Sequence, residues 1–98
     1  MKGIVVVQEF KNGKQQQGNY ATVARVEVEV SGCDDYDDYG IEYSLGAATL
    51  DGCEISREQL VELISLHARG REEDDAAAER LINRALGHIY RGAVEVSV

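Results

Sequence analysis

The sequence predicts an α+β domain, a two-layer sandwich in which an antiparallel sheet of about four strands carries two helices on one face. Strand patterns fill the first half of the chain, two helical patterns follow, and a last strand pattern ends it, which gives the order β-β-β-α-α-β. The chain has 98 residues, a length typical of one domain. Its 44% of hydrophobic residues is ordinary for a globular protein. We therefore expect one α+β domain over residues 1–98.

The three strands of the first half are expected to form an antiparallel meander. The first, Lys2–Phe10, contains the run Ile-Val-Val-Val, which is typical of a central strand buried on both faces. An Asn-Gly pair at 12–13 then favours a hairpin turn. The second strand, Tyr20–Val30, alternates with period two, and one of its faces begins apolar and ends charged, so we expect that face to reach solvent. The third, Ile41–Leu50, contains Gly46, which suggests a β-bulge.

Two helices and a final strand follow. The first helix begins at a capping box formed by Ser56 and Gln59, a pair that satisfies two backbone N–H groups at a helix start. The second runs from about Glu72 to Leu86, and its leading acidic residues lie at the positive end of the helix dipole. Gly87 is its expected C′ residue. Ala93–Val98 is the expected last strand of the sheet.

Acidic residues are concentrated in the middle of the chain. The net charge is −8, from 18 acidic and 10 basic residues. Residues 1–26 carry one acidic and four basic side chains, residues 27–62 carry eleven and one, and residues 63–98 carry six and five. A polyanion attracts cationic surfaces, so we expect no direct binding of nucleic acid or of an anionic membrane. The exception is the basic segment 1–26, whose lysine and arginine side chains are able to bind an anion.

The most distinctive segment is residues 31–40, predicted to be an exposed loop that contains four aspartates and two tyrosines. It does not fit a calcium-binding EF-hand, because the twelfth residue counted from Asp35 is Gly46 and not glutamate. Two alternatives remain open, a partner-binding surface and a solvated loop. As a binding surface, its carboxylates resemble a phosphate backbone and its tyrosines supply rigid contact area. The predicted partner-binding residues are Glu27, Glu29, Asp34, Asp35, Tyr36, Asp37, Asp38, Tyr39 and Glu42.

Motifs for catalysis and metal binding are missing from the sequence. There is no nucleophile elbow, no phosphate-binding glycine loop and no H-E-x-x-H helix. Cys33, Cys53, His67 and His88 form no short chelating pair, so we expect no zinc site and no cofactor. The predicted third strand separates Cys33 from Cys53, so we also expect no disulfide. We accordingly expect a protein that is not an enzyme. The N-terminus has no apolar signal-peptide region, which favours a cytoplasmic location.

These observations predict a small acidic binding or inhibitor protein, which occupies a basic surface on a partner that normally binds nucleic acid. Phage- and plasmid-borne inhibitors, including anti-CRISPR and DNA-mimic proteins, and nuclease-immunity proteins share this size and acidity. That likeness is one of composition and rests on no motif. The alternative is an assembly module that self-associates through its sheet edge. Val94, Val96 and Val98 would then pair with the same strand of a second copy in a homodimer.

Overall fold

Five strands and two helices make up the part of the chain that the structure describes. The computed structural model describes residues 1–10, 20–36, 40–67 and 75–98, with the backbone alone at residues 10, 34–36 and 40. The strands form one sheet in the order β4-β3-β2-β1-β5, which confirms the α+β class. In chain order the elements are β1 (Lys2–Phe10), β2 (Tyr20–Tyr36), β3 (Gly40–Leu50), β4 (Cys53–Ile55), α1 (Arg57–His67), α2 (Asp75–Tyr90) and β5 (Glu95–Ser97).

The two helices run in opposite directions across the sheet. Nδ1 of His67, the last residue of α1, lies 2.8 Å from Oε2 of Glu9 near the end of β1. Ile89, near the end of α2, packs over Gly3 near the start of β1. The helix pair therefore returns the chain to the end of the sheet at which β4 finishes.

The sheet is mixed, whereas the sequence predicted an antiparallel one of about four strands. Strands β1 to β4 pair antiparallel in succession, and β5 pairs parallel to β1. The reason is β4, a three-residue strand that the sequence prediction missed. Because the helices bring the chain back to where it entered them, β5 must run opposite to the preceding strand. With β4 present, that direction is parallel to β1, and without it the last strand would have been antiparallel.

The core lies between the helices and one face of the sheet. Strand β1 is an interior strand, and Val5 and Val7 point into this core. Val6, which points to the opposite face, is also only 3% exposed, so the prediction of a strand buried on both faces is confirmed. The largest fully buried side chains of the core are Leu60, Ile64, Ile82, Leu86, Ile89, Val5, Val7, Val26 and Val30.

The bulge predicted at Gly46 is present, and the predicted loop after Val30 is largely strand. The β2–β3 register shifts on both sides of Val30, leaving Gly46 and Ser31 without register partners. A Cβ on Gly46 would lie 3.2 Å from Cβ of Ser31, so the glycine lets the strands approach there. Pairing resumes beyond the bulge, and β2 continues to residue 36 while β3 begins at residue 40. The prediction of a loop over 31–40 was therefore wrong for most of its length, because a bulge interrupts a ladder without ending it.

The helix boundaries agree with the sequence at the start of α1 and differ at the end of α2. The Gln59 N–H donates to Oγ of Ser56 (3.1 Å), and the Ser56 N–H donates to Oε1 of Gln59 (2.8 Å), which confirms the capping box. Gly87 lies inside α2 and does not end it. A Cβ at this position would stand 2.7 Å from Cε2 of Tyr43, so the absence of a side chain allows the helix to lie close to β3. The helix continues because Ile89 is still part of the core.

Two sequence predictions concern residues outside the described ranges. The Asn-Gly turn at 12–13 is one of them, and the first residues of the predicted second helix, 72–74, are the other.

The predicted last strand is shorter than expected, since β5 covers only Glu95–Ser97. Its neighbours still bond to β1, with the Ile4 N–H donating to the Val94 carbonyl and the Val98 N–H donating to the Val6 carbonyl, both at 2.9 Å.

Candidate functional site

Two glutamates of β2 point away from the helices. Glu27 and Glu29 are exposed, and each lies between valines whose side chains are buried in the core: Val26, Val28 and Val30. This confirms the expectation that the charged face of this strand reaches solvent. The buried valines fix the strand, so the two carboxylates project from a rigid backbone.

An open depression of about 380 Å³ lies beside these glutamates. In the register, Glu27 is opposite Ile4 on β1 and Thr49 on β3, while Glu29 is opposite Lys2. The depression thus combines the carboxylates and Lys2 with aliphatic surface. This combination suits an arginine or lysine side chain, whose methylene groups favour apolar contact and whose charged end binds carboxylates.

Two further carboxylates extend this surface along β3 and β4. Glu54 on β4 is the register partner of Thr49, and Glu42 on β3 is the register partner of Asp34. Glu42 lies five positions along β3 from Ala47, the residue opposite Glu29, a distance of about 16–17 Å at the usual strand rise. The surface is therefore an extended ribbon. We call it the acidic sheet face, made of Glu27, Glu29, Glu42 and Glu54.

An ion pair covers the centre of the open face. Arg25 donates two hydrogen bonds to the carboxylate of Glu95, at 2.8 and 3.2 Å. The pair reaches across β1 from β2 to β5, and Val6, the register partner of Arg25, is buried on this face. The Glu95 carboxylate raises the pKa of Arg25 above its ordinary value, chiefly through these hydrogen bonds.

The basic first segment of the sequence does not form a separate anion site among the described residues. Arg25 binds Glu95, and Lys2 lies opposite Glu29, so both cations belong to the same face as the glutamates. Residues from the first, middle and last thirds of the sequence meet on this face. Acidic and basic residues are therefore less separated in the folded protein than they are along the sequence.

The structure brings together some of the nine predicted partner-binding residues. Three have described side chains, all exposed on one face of the sheet: Glu27, Glu29 and Glu42. Three have a described backbone within β2: Asp34, Asp35 and Tyr36. Three lie outside the described residues: Asp37, Asp38 and Tyr39. Sequence reasoning missed Glu54 and Glu95; the alternation of residues 94–98 was an available signal for Glu95, whereas the three-residue strand β4 offered none for Glu54.

A second acidic surface lies between the two helices. Four carboxylates surround Val61 in a depression of about 380 Å³, and Nη2 of Arg57 donates to one of them, Oε2 of Glu79, at 3.0 Å. For the acidic start of α2, the sequence interpretation favoured the helix dipole over a binding surface. The spacing held a further signal, since acidic residues four apart share one face of a helix. The four are Glu58, Glu62, Asp75 and Glu79.

The side chain of Asn83 on α2 forms hydrogen bonds with the outer edge of β3, the strand that carries Glu42. Its Oδ1 accepts the Tyr43 N–H at 2.8 Å, and its Nδ2 donates to the Ile41 carbonyl at 3.0 Å. These are the two bonds that a residue of a neighbouring parallel strand would make. A side-chain amide therefore covers part of an edge that β4 is too short to reach.

We expect Asn83→Ala to lower the free energy of unfolding by about 1 kcal/mol. Two hydrogen bonds are lost, and the better helix propensity of alanine offsets part of that loss. Hydrogen exchange at the Tyr43 amide should accelerate. The neighbouring Arg84→Ala, on an exposed position of the same helix, serves as the control and should change stability by less than about 0.5 kcal/mol. Unchanged exchange at Tyr43 in Asn83→Ala would refute this role.

The cysteines and histidines do not assemble a metal site in the described part of the chain. Cys33 and Cys53 are free and exposed. A hydrogen bond with Cys33 is the main reason why the pKa of Tyr90 is raised, and the Tyr90 ring packs against Tyr43 with centroids 5.6 Å apart. Over residues 1–10, 20–36, 40–67 and 75–98, no three His, Cys, Asp or Glu side chains are grouped so as to hold a metal ion.

Among the described residues, no helix has both the length and the apolar character needed to cross a membrane. Searches against protein-family models, curated proteins and solved structures found nothing that matches this chain. The charge and geometry of the acidic sheet face are the features of this protein that bear on its function.

Proposed function

We propose that this protein is a non-enzymatic acidic binding protein that occupies a basic, nucleic-acid-binding surface of a partner protein and so inhibits it in the cytoplasm. The observation that carries the proposal is the acidic sheet face. Its four glutamates lie on paired strands, and the described helices pack on the other side of the sheet. Such a protein is a charge mimic, which competes with nucleic acid for the basic surface of the partner and catalyses no reaction.

Rigid carboxylates are suited to this role for a physical reason. Residues two apart on a strand project from the same face about 6.6 Å from one another, so Glu27 and Glu29 form a regularly spaced pair. Nucleic-acid-binding grooves present lysine and arginine to successive phosphates, and such cations pair equally with carboxylates. Because the strand is already ordered, binding loses little conformational entropy.

The depression beside Glu27 and Glu29 supplies a point of specificity. An arginine of the partner that inserts there would contact Ile4 with its stem and the carboxylates with its guanidinium group. Partly buried charge pairs of this kind contribute more to affinity than exposed ones. We therefore expect Glu27 and Glu29 to contribute more than Glu42, which lies farther along the ribbon.

The proposal is tested by displacement of proteins from immobilised duplex DNA. Nucleic-acid-binding proteins from a lysate of the source organism are loaded on the resin, and the purified protein is passed over it. We expect elution of a specific DNA-binding protein. Glu27→Gln/Glu29→Gln should weaken the affinity for the eluted protein at least about tenfold. A further variant, with asparagine at Asp34, Asp35, Asp37 and Asp38, should abolish partner binding and leave the melting temperature nearly unchanged.

The matched control is Glu58→Gln/Glu62→Gln, which removes the same charge from the helix layer. It should elute the partner as the wild-type protein does. Raising the salt concentration should slow association, because exposed charges are screened beyond about 8–10 Å. The proposal is wrong if the protein elutes nothing from DNA, or if both double variants lose affinity equally, since net charge alone would then explain the binding.

A further inference from the structure

The outer edge of β5 is open in the part of the chain that the structure describes. β5 is the last strand of the sheet and pairs only with β1 there. Val94 and Val98 direct backbone groups to β1, through bonds with Ile4, Val6 and Gln8. Bonding residues alternate along a parallel ladder, so the N–H and C=O groups of the intervening residues point the other way. Those residues are Glu95 and Ser97.

The segment Val94–Val98 is complementary to itself. Its sequence, Val-Glu-Val-Ser-Val, places valine at both ends and in the middle. In an antiparallel pair of two such segments centred on Val96, each valine lies opposite a valine and each Glu95 lies opposite a Ser97. Glutamate never faces glutamate, so the arrangement avoids the like-charge pairs that destabilise sheets. Val94, which is 76% exposed, would lie beside Val98 of the second copy.

The geometry points to a second copy of this chain as the occupant of this edge. In this dimer the two β5 strands pair antiparallel about a two-fold axis at Val96. Glu95 and Ser97 of each copy exchange backbone hydrogen bonds with Ser97 and Glu95 of the other. The five described strands of each copy join into one continuous sheet, and no edge remains open at β5.

The charge on the molecule shapes the behaviour expected of this dimer. Each copy has a net charge of −8, so the two copies repel each other at low ionic strength. The contact itself is one short strand pair, which is typical of a weak interface. We therefore expect a dissociation constant in the range of about 1–100 µM, falling as salt is added. This salt dependence is opposite to that of the proposed partner binding, and the inference does not depend on that proposal.

The test is sedimentation equilibrium from 1 to 500 µM protein at 50 and 500 mM NaCl. Ser97→Pro removes the outward N–H and leaves the bonds of Val94 and Val98 to β1 in place. We expect it to weaken dimerisation about tenfold to a hundredfold, because each dimer loses two symmetry-related hydrogen bonds. Glu54→Pro makes the equivalent change in β4 at the opposite edge of the sheet, and it should leave the dimer intact.

Hydrogen exchange in the wild-type protein gives a second readout that needs no variant. The Ser97 amide should exchange more slowly as the protein concentration rises. The Val98 amide, which already bonds to Val6, should show no such dependence. A protein that stays monomeric at 500 µM in high salt overturns the inference. So does a dimer that survives Ser97→Pro, or that Glu54→Pro disrupts.

Discussion

Replacing Ile89 with alanine should lower the free energy of unfolding by about 2–5 kcal/mol, as truncation of a fully buried isoleucine usually does. Ile89 is 0% exposed, and its side chain fills the space above Gly3. Domains of this size have a total stability of about 5–15 kcal/mol. The substitution should therefore remove a large part of it. Urea unfolding followed by circular dichroism measures the loss.

The position of Gly3 makes this prediction specific. A Cβ at Gly3 would lie 2.8–3.0 Å from three carbon atoms of Ile89, so Gly3→Ala alone should destabilise the protein. In the Ile89→Ala background the same methyl group enters the vacated space and should recover part of the lost stability. Gly3→Ala is thus expected to lower the free energy of unfolding in the wild-type protein and to raise it in the Ile89→Ala variant. Additive effects of the two substitutions would show that these residues do not pack as described.

Replacing Gly87 with alanine is expected to lower the free energy of unfolding by about 1–3 kcal/mol, a typical cost of overpacking. The new methyl group would meet the ring of Tyr43, whose Cε2, Cζ and Cδ2 atoms lie 2.7–3.3 Å from the Cβ position. Alanine is the better helix former by about 1 kcal/mol, so a net loss would show that the contact dominates. Thermal and urea unfolding both report it.

Two variants serve as controls for this prediction. Gly32→Ala places a methyl group where no atom lies within 4 Å, and it should be neutral or stabilising. Adding Tyr43→Val to Gly87→Ala should make the glycine substitution less costly, because the smaller side chain leaves room for the methyl group. If Gly87→Ala raises the stability of the wild-type protein, the close approach of α2 to β3 is wrong.

Features that depend on neighbouring residues in the sequence could be predicted. The run of valines in β1 indicated a strand buried on both faces, and its centre, Val5–Val7, is buried on both. Ser56 and Gln59 indicated the start of α1, because a capping box is closed within four residues. Gly46 indicated a bulge, since glycine weakens a strand locally. In each case the physical cause lies within a few residues of the signal.

Features whose cause lies far away in the sequence could not be predicted. Gly87 resembles a helix end until Tyr43 is known to lie against it. Asn83 resembles an ordinary polar helix residue, and its role appears only when Ile41 is placed beside α2. The three residues of β4 are too few to give a periodic pattern. Missing that strand also reversed the predicted direction of the last one.

The candidate site shows the same division. Alternation along β2 correctly predicted that Glu27 and Glu29 share an exposed face. It could not show that Lys2 lies opposite Glu29 or that Arg25 is held by Glu95, because those pairings depend on the register between strands. Charge counted along the sequence therefore indicated the acidic character of the surface and overstated its separation from the basic residues.

The parallel pairing of β1 with β5 has a consequence for how the chain is made. Ile4 pairs with Glu95, so β1 is synthesised about 90 residues before the strand that covers its outer edge. Contacts between such distant segments form slowly, since the intervening chain must first be ordered. During translation the valine-rich edge of β1 stays available to other nascent chains. The pairing of β5 with β1 thus completes the sheet and also covers the exposed edge of β1.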